Sequence, residues 1–398
     1  MDITRKILSK SFVDFFDSKK SSGILLVICT VLSLVLANSY VSETYLSFWQ
    51  TYVGGLSIEH WINDALMAVF FLLIGLELER ELYNGELSDF KNALLPIFAA
   101  LGGICLPALI HFALNSGKPT QVGIGIPMAT DIAFALGVLA LLGKRVPASL
   151  KVFLTALAVM DDLGAIIIIA VFYTEKLSIL YLLGSLALFG LLVTMNRVFR
   201  VMSLSPYVVG GILMWFLMLK SGVHATIAGV LLAFAIPFSA TQDDQKSPSH
   251  LLEHLLHKPV AFIIMPIFAL ANTGIIIGSG WAQGLTTTNS LGIICGLAIG
   301  KPLGIVLLSF VAVSLGLSRL PSDLHWRHIF GAGFLGGIGF TMSIFIANLA
   351  FANDPDMINA SKLAILLASF TAGTIGYLWL KLFTKPLIQD KQTVETLR

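Results

Sequence analysis

The sequence predicts an all-α polytopic membrane protein of about twelve transmembrane helices. Three observations carry this. Hydrophobic residues make up 56% of the 398 positions and charged ones only 12%, about half the charged share of a soluble domain. The apolar residues gather into successive runs of bilayer-spanning length, and Lys and Arg collect in every second connection between them. A net charge of +2 without a long basic tract excludes a nucleic-acid partner. Cys29, Cys105 and Cys295 lie in apolar runs, too far apart for a metal or redox motif, so neither disulfide framework nor cofactor is expected.

Residues 1–22 form a charged leader (Arg5, Lys6, Lys10, Lys19, Lys20), and the run that follows has no small-residue cleavage site. It is read as a retained span rather than a signal peptide. Six spans are expected at about 23–37, 62–78, 93–114, 121–143, 152–172 and 178–195. Six more follow at about 205–219, 222–238, 259–279, 291–315, 328–350 and 361–380. The first and seventh are short. Omitting the seventh, however, would move the later basic segments, from Lys246 to the tail at 385–398, to the opposite side from the earlier ones. Twelve spans with both termini cytoplasmic keep most basic residues inside. The chain is read as one integral membrane domain, 1–398.

The first outside loop, 38–61, contains TYLSFWQTYVGGLSIEHW. Gly54-Gly55 between aromatic and β-branched residues suits a tight hairpin turn with positive φ, hence a small extracellular β-hairpin whose open edge can pair with a neighbour. A membrane-interface loop anchored by Trp49, Tyr52 and Trp61 explains the same residues.

The fifth span, LTALAVMDDLGAIIIIAVF, holds Asp161 and Asp162 at its middle. Each costs roughly 2.5–3.5 kcal/mol at a helix centre, while the Val, Leu, Ile and Phe residues around them return roughly 0.3–0.6 kcal/mol each. The totals nearly cancel, so the acids must face protein or a water-filled cavity. Neighbouring helical residues point about 100° apart, so the two aspartates have different jobs. Asp131 sits near the centre of the fourth span and Lys301 near the centre of the tenth. One Asp–Lys pair would serve helix packing alone. Three acids and one base leave carboxylates that packing does not require, and a cavity of net negative charge draws small cations and protons. With no Cys or His at that depth, oxygen ligands favour a hard ion, Na⁺ or Li⁺, bound at Asp161 and Asp162. A buried carboxylate also takes up protons. One seat that holds either a metal ion or protons, never both, is the basis of antiport.

Gly123-Ile124-Gly125 with Pro127 and Met128 precedes Thr130 and Asp131, and Gly337-Ile338-Gly339 with Met342 repeats the G-I-G-x-x-M spacing. Glycine loosens a helix and proline removes a donor. The fourth and eleventh spans run in opposite directions, so matched breaks in them point to inverted-topology repeats with interrupted helices, whose facing ends Asp131 and Lys301 would neutralise. Close packing through small residues accounts for the same glycines.

The inner end of the second span reads GLELEREL, with Glu77, Glu79, Arg80 and Glu81; Glu253, His254 and His257 lie before the ninth. Histidine titrates near neutrality, so this rim would report cytoplasmic acidity, although a solvated helix end explains it as well. His224, in SGVHATIAG, reads as an interfacial histidine.

These motifs, MATDIAFALGVLALLG, AVMDDLGAIIIIAVFY, LKSGVHATIAGV, LEHLLHKPVAFIIMPIFALANTG, GKPLGI and GGIGFTMSIFIA, resemble the NhaA family of bacterial sodium/proton antiporters over nearly the whole chain and in order. The resemblance implies an inner-membrane exchanger of twelve helices whose interrupted fourth and eleventh helices cross, often a homodimer held partly by the hairpin. It implies that Asp161 and Asp162 are the ion- and proton-binding pair, that Lys301 pairs with Asp161, and that Thr130 and Asp131 belong to the interrupted helix. It further ties Glu77, Arg80, Glu81, Glu253, His254, His257 and His224 to pH response. Members typically read GLE-x-KRE, whereas Glu79 stands here for the lysine and makes the rim more acidic.

The expectation is therefore an electrogenic Na⁺(Li⁺)/H⁺ antiporter that exports sodium, with no enzymatic activity. A sodium-coupled symporter of an organic solute on a similar scaffold is the alternative, though few polar groups flank the acids for a larger substrate. A passive cation channel would conduct sodium without moving protons.

Overall fold

The computed structural model describes residues 19–83, 85, 90–173, 177–239, 246–278 and 280–384. Most of the expected N-terminal segment and the whole 385–398 tail lie outside these residues. Seven helices are long and apolar enough to cross a membrane: Ile58–Tyr83, Ala93–Asn115, Ala148–Phe172, Ile179–Arg197, Pro248–Asn272, Thr288–Ser314 and Pro355–Phe383. Three bent pairs raise the number to as many as ten. The protein is thus a mostly helical, polytopic membrane protein.

Two expected spans are shorter than the bilayer needs. The seventh is the helix Ser205–Ser221, stopped by Gly222 at φ 84°, a left-handed conformation that favours glycine. The eighth is helical only over Ile227–Ala235. Its end has a local cause. Ile236 precedes Pro237 and is driven to extended ψ (140°), where the helix cannot continue.

Both expected interruptions are present, displaced from the glycines of the first motif. Residues 119–128, with their two glycines and Pro127, wind as a 3₁₀ segment; Ala129, Thr130 and Asp131 leave the helix, and Ile132–Leu141 resumes it at 42°. In the second, Gly337–Gly339 separate Trp326–Gly336 from Phe340–Ala350, bent by 43°. The breaks lie against each other: the Asp131 amide donates to Ile338 O at 2.6 Å, and Ser343 Oγ donates to Ile126 O at 2.7 Å.

Around them the helices approach closely. A Cβ on Gly102 would fall 1.9 Å from Gly304 O, and one on Gly304 would fall 2.0 Å from Gly102 O, so Ala93–Asn115 and Thr288–Ser314 touch backbone to backbone. Besides Ile62–Leu66, the helices Pro248–Asn272 and Thr288–Ser314 widen into single π turns, Val260–Ile264 and Gly296–Gly300. Each is followed two residues on by a proline, Pro266 and Pro302, whose missing N–H leaves a carbonyl of the preceding turn unbonded. Lys301 directly follows the second of these turns.

The Gly-Gly turn is also present. Tyr52 pairs with Ser57 and Val53 with Leu56, across Gly54 (φ 63°) and Gly55 (φ 91°). Its arms are only two residues long. The upstream residues of the expected hairpin are helical instead, over Ser42–Gln50, and Trp61 Nε1 donates back to Val53 O at 2.8 Å.

Candidate ion-binding site

The Ala148–Phe172 helix delivers both aspartates to the place where the two breaks meet. Asp161 is 0% and Asp162 1% exposed. Their surroundings differ sharply. Asp161 Oδ2 lies 2.9 Å from Lys301 Nζ and accepts from Thr130 Oγ1 at 2.6 Å. Neither oxygen of Asp162 has a hydrogen-bond partner among the described residues, and Asp161 Oδ1 has none either. Buried polar atoms are almost always bonded, so three unbonded carboxylate oxygens in one place call for a ligand.

The breaks supply the surrounding dipoles. Asp131 caps its own half-helix by accepting from the Phe134 amide at 3.0 Å, and caps the other by accepting from the Thr341 amide at 3.2 Å and from the Thr341 hydroxyl. One carboxylate thus neutralises two positive helix ends. At the opposite ends, Lys301 Nζ donates to Met128 O, and Thr130 Oγ1 is 2.8 Å from Gly336 O. The Thr130 hydroxyl has one hydrogen and two acceptors, Gly336 O and Asp161 Oδ2. Both contacts are satisfied together when Asp161 carries a proton and donates it to Thr130.

A cavity of about 240 Å³ reaches Asp162, Thr130, Asp131 and Thr341 and also touches Glu77, Arg80, Glu81, Glu253 and His257. Five rim residues expected from sequence thus share one space with the buried Asp131 and Asp162. At the mouth Arg80 pairs with Glu253 and lies 3.6 Å from Glu81. His254 is exposed on the same helix and does not line the cavity. His224 is elsewhere, 3.9 Å from Asp64 and edge-on to Phe345 at 5.9 Å. Glu79 is 3% exposed with Oε2 unbonded, beside rather than in the cavity, so its charge is not one of the rim charges the sequence suggested.

Sequence reasoning missed Thr341 and the carbonyls of Met128 and Gly336. Thr341 follows the second G-I-G, where a hydroxyl at the start of a half-helix was a readable signal. The carbonyls have no sequence signature, because every residue carries one. No cluster of three or more His, Cys, Asp or Glu suited to a metal ion is found among the described residues.

Residues 13–380 match the family model described as Na⁺/H⁺ antiporter 1. The chain is 74% identical to the Na(+)/H(+) antiporter NhaA of Dechloromonas aromatica, over 96% of this chain and 98% of the relative. It is 58% identical to that of Flavobacterium psychrophilum, with 96% and 98% covered, and 51% identical to that of Vibrio parahaemolyticus, with 95% and 98% covered. None of these names describes a solute symporter, and that alternative finds no support. With nearly its full length matched, the chain belongs to the NhaA family of Na⁺/H⁺ antiporters.

Proposed function

We propose that this protein exchanges Na⁺ or Li⁺ for protons at Asp162 and Asp161, exporting sodium electrogenically across a bacterial inner membrane. The observation that carries this is the contrast within the pair. Asp161 is committed to Lys301 and Thr130, while Asp162, equally buried, bonds nothing. A charge buried without a partner is too costly to persist, so Asp162 must hold either a proton or a cation. Exclusion between the two couples their fluxes.

In this reading a sodium ion entering past Arg80 and Glu253 takes its oxygens from Asp162, Asp161 Oδ1, Thr130 and unwound backbone. Its charge loosens the Asp161–Lys301 pair. Protons returning from the other side restore it. Asp131 holds the two helix ends and does not leave them. Twelve crossings with both termini cytoplasmic, crossed interrupted helices, and a homodimer joined partly at the Gly54-Gly55 hairpin complete the proposed architecture. Glu77, Arg80, Glu81, Glu253 and His257 would set the pH response at the mouth, with His254 and His224 acting from outside it.

The test is sodium-induced proton flux in liposomes containing the purified protein, across a pH series. Antiport requires that the KM for Na⁺ rise as pH falls, because protons then compete better for the seat. Asp162→Asn should abolish the flux. Exchange at a normal rate in that variant would remove Asp162 from the site.

A further inference from the structure

The segments that line the Asp162 cavity border a second, larger hollow toward their other ends. Phe70, Met265 and Met342 line the cavity. Asn63, Ala271 and Asn348, six or seven residues away on the same segments, line a hollow of about 1040 Å³. At 1.5 Å per residue the two are roughly 10 Å apart. Between the segments runs a chain of neutral amides: Asn272 Nδ2 donates to Asn63 Oδ1 at 2.8 Å, and Asn348 Nδ2 donates to Asn272 Oδ1 at 2.6 Å.

The charged side chains around the hollow are sorted by depth. Glu43 and His60 are exposed, and Glu59 is half-buried, its carboxylate accepting from Gln50 Nε2. Lys362 is only 7% exposed. It stands seven residues along the Pro355–Phe383 helix from Pro355, which is exposed on the same hollow, a distance of about 10 Å. Among the described residues lining the hollow it is the only Lys or Arg. Glu59 attracts it through space without forming an ion pair with it. Asp64, which follows Asn63, is engaged by His60 at 2.8 Å. An ammonium this deep keeps its hydration only through the hollow. Low-dielectric walls focus its field, so it repels a cation that reaches the floor. A lysine that merely snorkels to water would be as buried. It would not make the two faces of an exchanger differ.

We infer that Lys362 weakens Na⁺ binding from the face opposite Arg80 and Glu253: whenever the seat at Asp162 opens toward the hollow, the ammonium on its floor drives the cation off and hinders its return. The inference rests on the exchange reading, in which sodium taken up past Arg80 leaves through the hollow. Exchange alone needs no difference in affinity between the faces. The lysine supplies one, in the direction that favours export into a sodium-rich medium.

The test measures Na⁺-driven proton movement by the full chain in right-side-out and everted vesicles, so that the KM for Na⁺ is read from each face. Lys362→Gln should lower the KM at the face of the hollow, which right-side-out vesicles present to the medium, roughly two- to ten-fold. The KM in everted vesicles should stay unchanged. Lys362→Arg, which keeps the charge, should match the unaltered protein at both faces. Choline chloride added to raise the ionic strength should shrink the effect of Lys362→Gln, because the hollow admits the salt. Should Lys362→Gln fail to fold, Glu59→Gln serves, since loss of that carboxylate should raise the KM in right-side-out vesicles alone. A KM changed equally at both faces, changed only in everted vesicles, unchanged at both, or lowered by an amount that salt does not alter would overturn the inference. If the unaltered protein moves no protons in response to Na⁺ from either face, the exchange reading fails instead, so the two failures are distinguishable.

Discussion

Two apolar helices of this protein behave oppositely. Ala148–Phe172 and Ile179–Arg197 both pass as membrane spans by length and composition, yet 61% of the most apolar stretch of the first is buried inside the protein and only 11% of the second. The first carries Asp161 and Asp162 at its centre; the second has no charge before Arg197 at its end. Lipid is as apolar as leucine, so hydropathy cannot say whether a span faces lipid or protein. A mid-span charge can, because it is tolerated only on the protein side. The site helix is therefore recognised by the residues that weaken its case as a span.

The contrast breaks most visibly at glycines. Gly304→Ala places a methyl carbon 2.0 Å from Gly102 O, a backbone atom that cannot move aside. The helices must separate, and little folded protein should survive detergent extraction, measured as loss of the monodisperse peak on size exclusion. The next largest effect is expected at Lys301. Lys301→Ala leaves Asp161 buried without its cation, which should cost about 3–5 kcal/mol and lower the midpoint of thermal unfolding. The double variant Lys301→Met with Asp161→Asn should recover most of that stability while exchange stays absent. Stability not recovered by the double change would mean that Lys301 acts mainly through Met128 O.

The residues that were legible in the sequence share one property: their placement in the bilayer is expensive. Asp131, Asp161, Asp162 and Lys301 stand out against apolar neighbours, and the structure ties Asp131, Asp161 and Lys301 to Thr130, Thr341 and the helix ends while Asp162 is buried without a hydrogen-bond partner. The interruptions were legible too, from glycine and proline, though not their register. The first break begins after Met128 rather than at Gly123, because residues 119–128 stay helical as a 3₁₀ segment through the glycines and Pro127. What could not be read was which spans touch. Nothing in the local pattern of Gly102 or Gly304 announces the other, and the Asn63–Asn272–Asn348 chain joins residues 209 and 76 positions apart. The length of the Ile227–Ala235 helix was misjudged because an apolar run shows composition, whereas Gly222 ends the helix before it and Ile236, ahead of Pro237, ends the helix itself.

Smaller effects sharpen the same contrast. Thr130→Val removes a hydroxyl shared by Asp161 and Gly336 O within the buried network, at about 1–3 kcal/mol. The KM for Na⁺ should rise roughly ten-fold or more, with protein yield unchanged, and flux measured at several sodium concentrations separates this from a fall in kcat. An unchanged KM would make Thr130 a brace rather than a ligand. At the other extreme is Gly190, on the lipid-facing helix, where an added Cβ meets nothing within 4 Å. Gly190→Ala removes backbone freedom that glycine loses on forming a helix and adds no clash, so it should stabilise by about 0.5–1 kcal/mol and leave sodium-driven proton flux unaltered. The same chemical change, glycine to alanine, thus destroys the protein at Gly304 and improves it at Gly190. A loss of exchange in Gly190→Ala would mean that the Ile179–Arg197 helix moves against a partner during turnover, and that its 11% burial describes only the resting state.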